Sequence, residues 1–520
     1  MHRPLPAAVR YLASPAIALL LSQSLFAADA ALRIFTPADV HRLQYVGDMA
    51  VSPEGDWLAY GVETTKPEQD TTDSNLFMVS WDGTRRLQLS YSEDSSESHP
   101  RFSPDGQYLA FIAARNGGDD SDSDKPETKS QVWLLNRSGG EASRLTALPG
   151  GVSAFEWSPD SKRLAIVAMD PKKPAAAADS NPEAGKGKKS ETPEPIVIDR
   201  YHFKQDVRGF LDSRYRRLYV FDVDKREATL LTAGAYDSTQ PSWSPDSRLI
   251  AFTSRRGDDP DRHVNDDIYV IEASATASTT PRRLTDWDGP DTDPVFSPDG
   301  RSVAFLRGGP PKYVDYDPAV LAVVPVAGGD AKPLTAGLDR SVSSPRWSLD
   351  GKSVYFLFVN DRVASIGRVQ AKGGDVQTIY PQRQNPAVVR EFVIGRNGLA
   401  ATTAFATQPA ELYRVRDGRA LSAHNAELVA EIDWASVEGY DATSADGTRI
   451  GAMLLKPPGF RPGVAMPTIA YIHDGQVGQD GCAFDATSQA LAAQGYLVVN
   501  PNYRGSNGRG RDFSRAIFAD

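Results

Sequence analysis

Short apolar segments alternate with turn residues through most of the chain. Four turns share the sequence Ser-Pro-Asp followed by Gly or Ser, and two variants complete the series; they lie at 103–106, 158–161, 244–247 and 297–300, with the variants at 52–55 and 348–351. Pro fixes φ at the second turn position, Asp bonds its own backbone, and Gly accepts a positive φ. Each turn therefore reverses the chain into an alternating apolar strand, such as 108–111 or 249–252.

Each turn belongs to a repeat of four strands. A large residue precedes most turns, at Phe102, Trp157, Trp243, Phe296 and Trp347, with Val51 in the first copy. Third strands are predicted at 75–79, 131–135, 217–221, 267–271, 320–324 and 366–369, and fourth strands at 144–146, 283–285 and 333–335. Four antiparallel strands per repeat are typical of a propeller blade. We interpret the aromatic residues before the turns as packing between blades rather than as a ligand-stacking surface.

The spacing of the repeats predicts the number of blades. Successive turn Ser residues lie 51, 55, 86, 53 and 51 residues apart. The long interval contains 171–195, whose Ala, Pro, Lys and Glu content predicts a disordered insert. A weaker seventh repeat fits 392–421 around the turn Asn397-Gly398. We expect seven blades, with six or eight as alternatives; a parallel β-helix has much shorter rungs than these repeats of roughly fifty residues.

The pattern changes after about residue 430. Strands 437–442 and 449–455 form a predicted hairpin with a type I′ turn at Asp446-Gly447. An apolar strand at 468–472, a helix at 486–494 ended by Gly495, and a second apolar strand at 496–499 follow. Strand, helix and strand in this order predict a parallel sheet that is covered on both faces.

The first thirty residues have the pattern of a secretory signal peptide. Arg3 and Arg10 give a positively charged start, a short apolar run follows, and small residues end the segment at Ala27, Ala28 and Ala30. The alternative is an uncleaved membrane anchor, but the run is short and is interrupted at 22–24. We therefore expect a secreted or periplasmic protein with no membrane attachment after signal removal.

Composition excludes several classes of function. The net charge is −10 with no basic stripe, which argues against nucleic acid as a partner. The single cysteine, Cys482, rules out an internal disulfide and is interpreted as a small buried residue. The seven histidines are scattered and form no metal-binding motif, so we expect neither a metal nor another cofactor.

The repeats and the segment that follows them resemble the prolyl oligopeptidase family of serine peptidases, in particular its acylaminoacyl-peptidase and bacterial dipeptidyl-peptidase branches. Three segments carry the resemblance beside the repeats, at 478–481, 492–496 and 502–506. The resemblance implies an all-β seven-bladed propeller over 31–430, followed by the N-terminal part of an α/β-hydrolase domain over 431–520. It also implies short peptides as substrates, with the propeller restricting access to the active site.

The catalytic residues of this family form a Ser-Asp-His triad whose Ser lies in a Gly-x-Ser-x-Gly turn. The sequence contains no such turn, and in relatives all three residues lie beyond the position that matches Asp520. Ser506 lies in a Gly-rich loop and is not interpreted as the nucleophile. We therefore expect the 520-residue chain to be a fragment without the triad and to be inactive by itself.

One element of the family's active site has a match. The oxyanion loop of the family reads His-Gly-Gly-Pro, and His473-Asp474-Gly475-Gln476 stands at that place. The resemblance makes Gly475 the candidate oxyanion-hole donor and assigns His473 and Tyr503 to the active-site loops. The Asp474 carboxylate would oppose a developing oxyanion by charge repulsion. The alternative interpretation is a tight turn with no catalytic role.

A different class of function is also compatible with the repeats. A periplasmic propeller that binds a protein or peptide without catalysis has similar Ser-Pro-Asp turns, although it does not account for 437–520. The sequence leaves cleavage specificity, exopeptidase or endopeptidase mode and oligomeric state open. Because the early strands of a parallel sheet expose an unpaired edge, we expect the region after 430 to be more sensitive to proteases than the propeller.

Overall fold

The computed structural model describes residues 31–519 except 93–94, 116–128, 172–195, 207–208, 382–385 and 476. The predicted signal peptide, and the predicted insert except Pro171, lie outside the described residues. Strands dominate, and the described α-helices are α1 (Ala426–Glu431), α2 (Ala486–Ala493) and α3 (Arg511–Arg515). Short 3₁₀ helices occur at Pro37–Arg42, Pro67–Gln69, Pro260–Arg262, Pro311–Tyr313 and Ala336–Leu338.

The repeats form successive antiparallel sheets of four strands. Sheet 1 contains β1 (Gln44–Val51), β2 (Trp57–Lys66), β3 (Thr71–Ser80) and β4 (Arg86–Gln88). Sheet 2 contains β5 (Glu97–Phe102), β6 (Tyr108–Ala113), β7 (Gln131–Asn136) and β8 (Ser143–Arg144). Sheet 3 begins with β9 (Val152–Trp157) and β10 (Arg163–Met169); after a separate hairpin of β11 (Lys204–Gln205) and β12 (Gly209–Phe210), it ends with β13 (Arg216–Asp222) and β14 (Glu227–Leu230).

The next sheets follow the same plan. Sheet 4 contains β15 (Ser238–Trp243), β16 (Leu249–Ser254), β17 (Asp267–Glu272) and β18 (Arg282–Arg283). Sheet 5 contains β19 (Asp291–Phe296), β20 (Ser302–Arg307), β21 (Val320–Pro325) and β22 (Lys332–Pro333). Sheet 6 has eight strands: β23 (Val342–Trp347), β24 (Ser353–Asn360), β25 (Val363–Gln370), β26 (Gln377–Tyr380), β27 (Val388–Gly395), β28 (Gly398–Phe405), β29 (Gln408–Arg414) and β30 (Arg419–Ala420).

The hydrogen bonding of sheet 6 does not decide the number of blades, so seven blades stays a prediction. A single parallel bridge, Ala364 to Val388, joins its first four strands to its last four. Counting the two halves separately gives seven four-stranded sets, as the repeats predict, whereas hydrogen bonding makes one sheet of eight. Within the described residues, no strand of sheet 6 is hydrogen-bonded into sheet 1.

Side chains nevertheless join the first sheet to the last half of sheet 6. Leu58 and Trp81 of the sheet 1 region pack in one apolar cluster with Leu412 and Leu421. The Met49 N–H also donates to a carboxylate oxygen of Glu391 at 3.0 Å. The two ends of the repeat array are therefore in contact through apolar packing and hydrogen bonds.

The Ser-Pro-Asp turns form as their sequence predicts. In the turn at 103–106, the Gly106 N–H donates to the Ser103 carbonyl at 2.8 Å, and φ of Gly106 is 75°. Ser161 and Ser247 take the same left-handed conformation, with φ of 61° and 60°. The Ser103 hydroxyl donates to Asp105 at 2.6 Å and closes the turn from inside.

The aromatic residues before the turns pack between sheets, which confirms their interpretation. Trp157 packs in a core cluster that contains side chains from sheets 2 and 3. Its indole N–H donates to the Arg101 carbonyl of sheet 2 at 3.3 Å. Trp243 repeats this contact with the Glu156 carbonyl at 3.1 Å, and Trp347 with that of Val295 at 3.0 Å.

Sheet 7 holds the rest of the chain. It contains β31 (Ser436–Thr443), β32 (Arg449–Lys456), β33 (Thr468–Ala470) and β34 (Leu497–Asn502), in the order β31-β32-β34-β33. Strands β33 and β34 are parallel, with α2 between them in sequence, as predicted. Asp485 caps α2 by accepting the Ser488 N–H at 2.7 Å, and Gly495 follows the helix with φ of 90°.

One turn in sheet 7 differs from its prediction. A type I′ turn needs positive φ at both central residues. In the β31–β32 hairpin φ is positive at Gly447, at 86°, and not at Asp446. The Ser444 N–H instead reaches the Thr448 carbonyl at 2.9 Å, and the Ser444 hydroxyl donates to Asp446. The type I′ prediction was wrong because side-chain bonding by Ser and Asp favours a longer loop.

Candidate active site

The loops that follow β33 and β34 meet at one edge of sheet 7. The two strands are parallel and neighbours, so their carboxyl ends lie at the same edge. The His473 ring stacks on the Tyr503 ring, with 4.7 Å between centroids and 21° between planes. The structure therefore brings together the two residues that sequence analysis assigned to the active-site loops.

Tyr503 holds the backbone of the His473 loop. Its hydroxyl lies 2.9 Å from the Gly475 carbonyl and 3.2 Å from the His473 carbonyl. Gly475 has φ of 67°, a conformation that glycine adopts without steric cost. The loop from 473 to 475 is thus fixed by a side chain from the next parallel strand.

Gly475 meets one requirement of an oxyanion donor. Among the described residues, no group accepts a hydrogen bond from its N–H, so this donor is free for a ligand. The Asp474 side chain is exposed, and Gln476 lies outside the described residues. Because solvent screens the exposed Asp474 carboxylate, its repulsion of a nearby oxyanion is weakened.

Ser506 makes a contact that sequence analysis did not anticipate. Its hydroxyl lies 3.0 Å from His473 Nε2, the distance expected of a nucleophile and its base. However, Ser506 is fully buried, and its N–H donates to the Tyr503 carbonyl in a tight turn. A buried hydroxyl cannot reach a substrate, so the contact positions His473. The sequence signal for this contact was Arg-Gly-Ser after β34, which places a serine in the loop but does not show that it bonds His473.

Asp480 lies behind these loops. Burial raises the pKa of its carboxyl group, and the interaction with the charge of His473 lowers it. Its backbone is bonded on both sides to the Asn502 amide, at 2.7 and 2.9 Å. Asp480 therefore ties the segment after the His473 loop to the end of β34.

Cys482 is buried, as its interpretation states. Its thiol faces the Met453 sulfur at 3.8 Å, and burial raises the pKa of the thiol. The raised pKa disfavours the reactive thiolate. The Cys482 N–H donates to the Arg362 carbonyl at 2.7 Å, which links sheet 7 to the β24–β25 loop.

The described part of the chain shows neither a metal-binding cluster nor a membrane-spanning helix. No group of three or more His, Cys, Asp or Glu side chains is gathered there in a way that could hold a metal ion. None of its helices combines the length and the apolar character needed to cross a membrane.

Comparison with known proteins points to one family of peptidases. The family model described as "Prolyl oligopeptidase family" matches residues 482–520. The chain is 25% identical over 510 residues to the uncharacterized peptidase YuxL of Bacillus subtilis, covering 94% of this chain and 73% of that protein. It is 26% identical over 505 residues to dipeptidyl-peptidase 5 of Porphyromonas gingivalis, covering 93% and 70%. The matched segment and these two relatives support the prolyl oligopeptidase family of peptidases.

Solved structures support the same fold. The acylaminoacyl peptidase of Pyrococcus horikoshii superposes with a TM-score of 0.72 at 20% identity, covering 93% of this chain and 69% of that one. An acylaminoacyl peptidase in complex with Z-Gly-Gly-Phe-chloromethyl ketone gives 0.70 at 20% identity, covering 92% and 68%. The class of fold, a propeller followed by part of an α/β-hydrolase domain, is confirmed; the seven-blade count stays a prediction.

Proposed function

We propose that this chain is the propeller and the early hydrolase region of an exported serine peptidase that cleaves short peptides. The similarity to two peptidases over more than nine-tenths of the chain carries the proposal. A similar structure holds a peptide-like chloromethyl ketone, which fits short peptides as the substrate class. In this proposal 1–30 is a signal peptide, 31–430 is the propeller, and 431–520 begins the peptidase domain.

The His473 loop is proposed to form part of the oxyanion hole. The free N–H of Gly475 would stabilise negative charge on a carbonyl oxygen under attack. Tyr503 and His473 would hold that N–H in place through the contacts at 2.9, 3.2 and 3.0 Å described above. This chemistry also requires a nucleophilic Ser with its His and Asp, which we propose are supplied by sequence that follows Asp520.

The 520-residue chain is therefore expected to be inactive, because it contains no Gly-x-Ser-x-Gly turn. Incubation of the purified chain with a fluorophosphonate probe and an aminoacyl-peptide substrate tests this. We expect neither labelling nor turnover. Labelling that disappears in Ser506→Ala would contradict the proposal, because it would make the buried Ser506 a nucleophile. A chain extended in frame through the next Gly-x-Ser-x-Gly turn is the positive control and should be labelled.

Export is tested separately. Expression of the complete chain in a Gram-negative host should place it in the periplasmic fraction, with a new amino terminus close to residue 28 or 31. Retention in the cytoplasm with Met1 intact would contradict the signal-peptide proposal and would leave the peptidase proposal standing.

A further inference from the structure

The repeats line an open cavity of about 810 Å³ that lies apart from the His473 loop. The first strand of every four-stranded set contributes to its lining, namely β1, β5, β9, β15, β19, β23 and β27. Among the described residues, the lining contains no side chain from sheet 7. Its volume lies in the range of about 300–1,000 Å³ that is usual for small-molecule sites.

Bulges interrupt the strands that line this cavity. Register shifts occur in β1, β5, β15, β19, β23 and β27. Several bulge residues take a left-handed conformation, including His99, Gln240 and Asp293 with φ of 56°, 54° and 53°. Bulges redirect side chains, and here they accompany a concentration of charged groups on the cavity wall.

One side of the wall carries charges that are already paired. Arg101 lies 3.5 Å from Glu156 and 3.8 Å from Asp48. His99 lies 3.9 Å from the same Glu156, and burial lowers the pKa of His99. The charges of these groups compensate one another, so they offer no unpaired charge to a ligand.

Three further charged groups of the wall make no ion pair in contact, although the charges of Glu156 and Arg101 also act on Arg346, and that of Arg101 acts on Glu391. Within the described residues, no carboxylate lies within 4.0 Å of the Arg346 guanidinium, which donates to the Pro345 carbonyl at 3.0 Å. Glu391 accepts the Met49 N–H, and Asp293 accepts from the Gln240 amide. Neither carboxylate has a cationic side chain in contact. Three charged groups therefore face one cavity without a contact ion pair.

Their arrangement is ordered by the repeat. Arg346 lies on β23, Asp293 on the preceding first strand β19, and Glu391 on the following first strand β27. Arg346 is exposed and lines the cavity. Desolvation by the surrounding protein lowers the pKa of Arg346; the charge of Glu156 opposes this shift most, Arg101 adds to it, and Glu391 and Asp293 oppose it less. In the order of first strands, Arg346 therefore lies between two carboxylates, neither of which is within 4.0 Å of it.

We propose that Arg346, Asp293 and Glu391 form a binding site for a small zwitterion, with a free dipeptide as the ligand class. The ligand carboxylate would bind the Arg346 guanidinium, which suits two-point recognition of a carboxylate. The ligand ammonium would bind between Asp293 and Glu391. Such a ligand supplies both missing counter-charges at once, whereas an anion or a cation alone supplies one.

The test is calorimetric titration of the purified 520-residue chain with L-alanyl-L-alanine, which needs no catalytic activity. We expect saturable binding that weakens about tenfold or more when the amine is acetylated or the carboxylate is amidated, since each change removes a charged hydrogen bond. Absence of binding, or equal binding of the acetylated peptide, would overturn the proposal. Neither result bears on whether the chain is part of a peptidase.

Variants separate the two halves of the site. Arg346→Gln should weaken L-alanyl-L-alanine about tenfold or more, and Asp293→Asn should weaken it while leaving the acetylated peptide unchanged. Arg416→Gln is the control, because that side chain is 65% exposed on a turn far along the same sheet. Circular dichroism melting must show that each variant is folded. Unchanged affinity in folded Arg346→Gln, or an equal loss in Arg416→Gln, would refute the assignment.

Discussion

At the scale of single residues, two serines show why the fourth turn position varies between Gly and Ser. Ser161 and Ser247 adopt a left-handed backbone that disfavours any side chain. In return, the Ser161 hydroxyl accepts the Asp105 N–H at 2.9 Å, and the Ser247 hydroxyl accepts the Asp160 N–H at 3.1 Å. Each serine therefore joins its turn to the turn of the preceding sheet, which glycine cannot do.

Substitutions at Ser247 should reverse the usual order of alanine and glycine. Ser247→Ala loses the hydrogen bond and keeps the strained conformation, so we expect a loss of about 1–2 kcal/mol in the free energy of unfolding. Ser247→Gly loses the same bond but relieves the strain, so its loss should be smaller by roughly 1 kcal/mol. Urea denaturation of the three proteins measures both values. A glycine variant less stable than the alanine variant would contradict the argument.

Asp267 gives a pH-dependent prediction at the same scale. Burial raises its pKa from 3.8 to about 6, although Arg283 at 2.8 Å acts in the opposite direction. The folded state therefore holds the proton more tightly than the unfolded state. Its contribution to stability is complete below the unfolded pKa and is lost as the pH rises through the folded pKa.

In the Asp267→Asn variant the side chain carries no titrating proton, so this pH dependence is absent. Relative to that variant, the wild-type protein should lose on the order of 3 kcal/mol of unfolding free energy between about pH 3.5 and pH 7. Denaturant titrations of both proteins across this range measure the difference. Asp350→Asn is the control, because hydrogen bonding to Ser348 lowers the pKa of Asp350 and should give the opposite trend. A difference that stays constant with pH would refute the prediction.

At the scale of elements, the indole contacts join neighbouring sheets. Trp157, Trp243 and Trp347 each donate to a backbone carbonyl on the first strand of another sheet. Trp81 is equally buried, but its indole nitrogen has no hydrogen-bond partner among the described residues. The same side chain therefore occurs with and without this bond in one molecule.

Replacing each tryptophan by phenylalanine separates packing from hydrogen bonding. Trp243→Phe leaves the Glu156 carbonyl without its donor and should cost about 1–3 kcal/mol beyond the lost apolar contact. Trp81→Phe removes an unsatisfied donor, so its total cost should be smaller. Equilibrium urea denaturation compares the two. Equal losses would show that the indole bond between sheets contributes nothing.

At the scale of the whole molecule, sheet 7 rests on sheets 5 and 6 through charges and aromatic rings. Asp317, which is buried, pairs with Arg515 and lies 3.6 Å from Arg511. Tyr313 and Tyr316 hold Phe518, with ring centroids 4.8 and 5.4 Å away. These contacts fix the segment after β34, whereas β33 is an edge strand followed by the exposed Ile472.

Limited proteolysis should follow this difference. We expect first cleavage between 457 and 482, with the repeats resistant and the segment 497–519 cut later. Asp317→Asn removes the ion pair and should accelerate cleavage after residue 496 about tenfold. Asp350→Asn, at an exposed turn, is the control and should not change the rate of cleavage after residue 496. Mass spectrometry of early fragments gives the order; degradation of the repeats before sheet 7 would contradict the prediction.

The sequence by itself determined the repeats, their turns, the parallel pair β33 and β34, and the loops of His473 and Tyr503. These features depend on local chemistry: proline and glycine at turns, alternating apolar residues in strands, and a family-like loop after an apolar strand. The type I′ turn at Asp446-Gly447 failed because side-chain bonds selected a different loop.

Only the tertiary structure decided which groups meet across sheets. It placed the Ser506 hydroxyl on His473, the indole of Trp243 on Glu156, and Arg346, Asp293 and Glu391 in the wall of one cavity. These partners are tens of residues apart, so no local pattern encodes their pairing. Their contacts depend on how successive sheets pack side by side, because packing fixes the position and burial of each polar group.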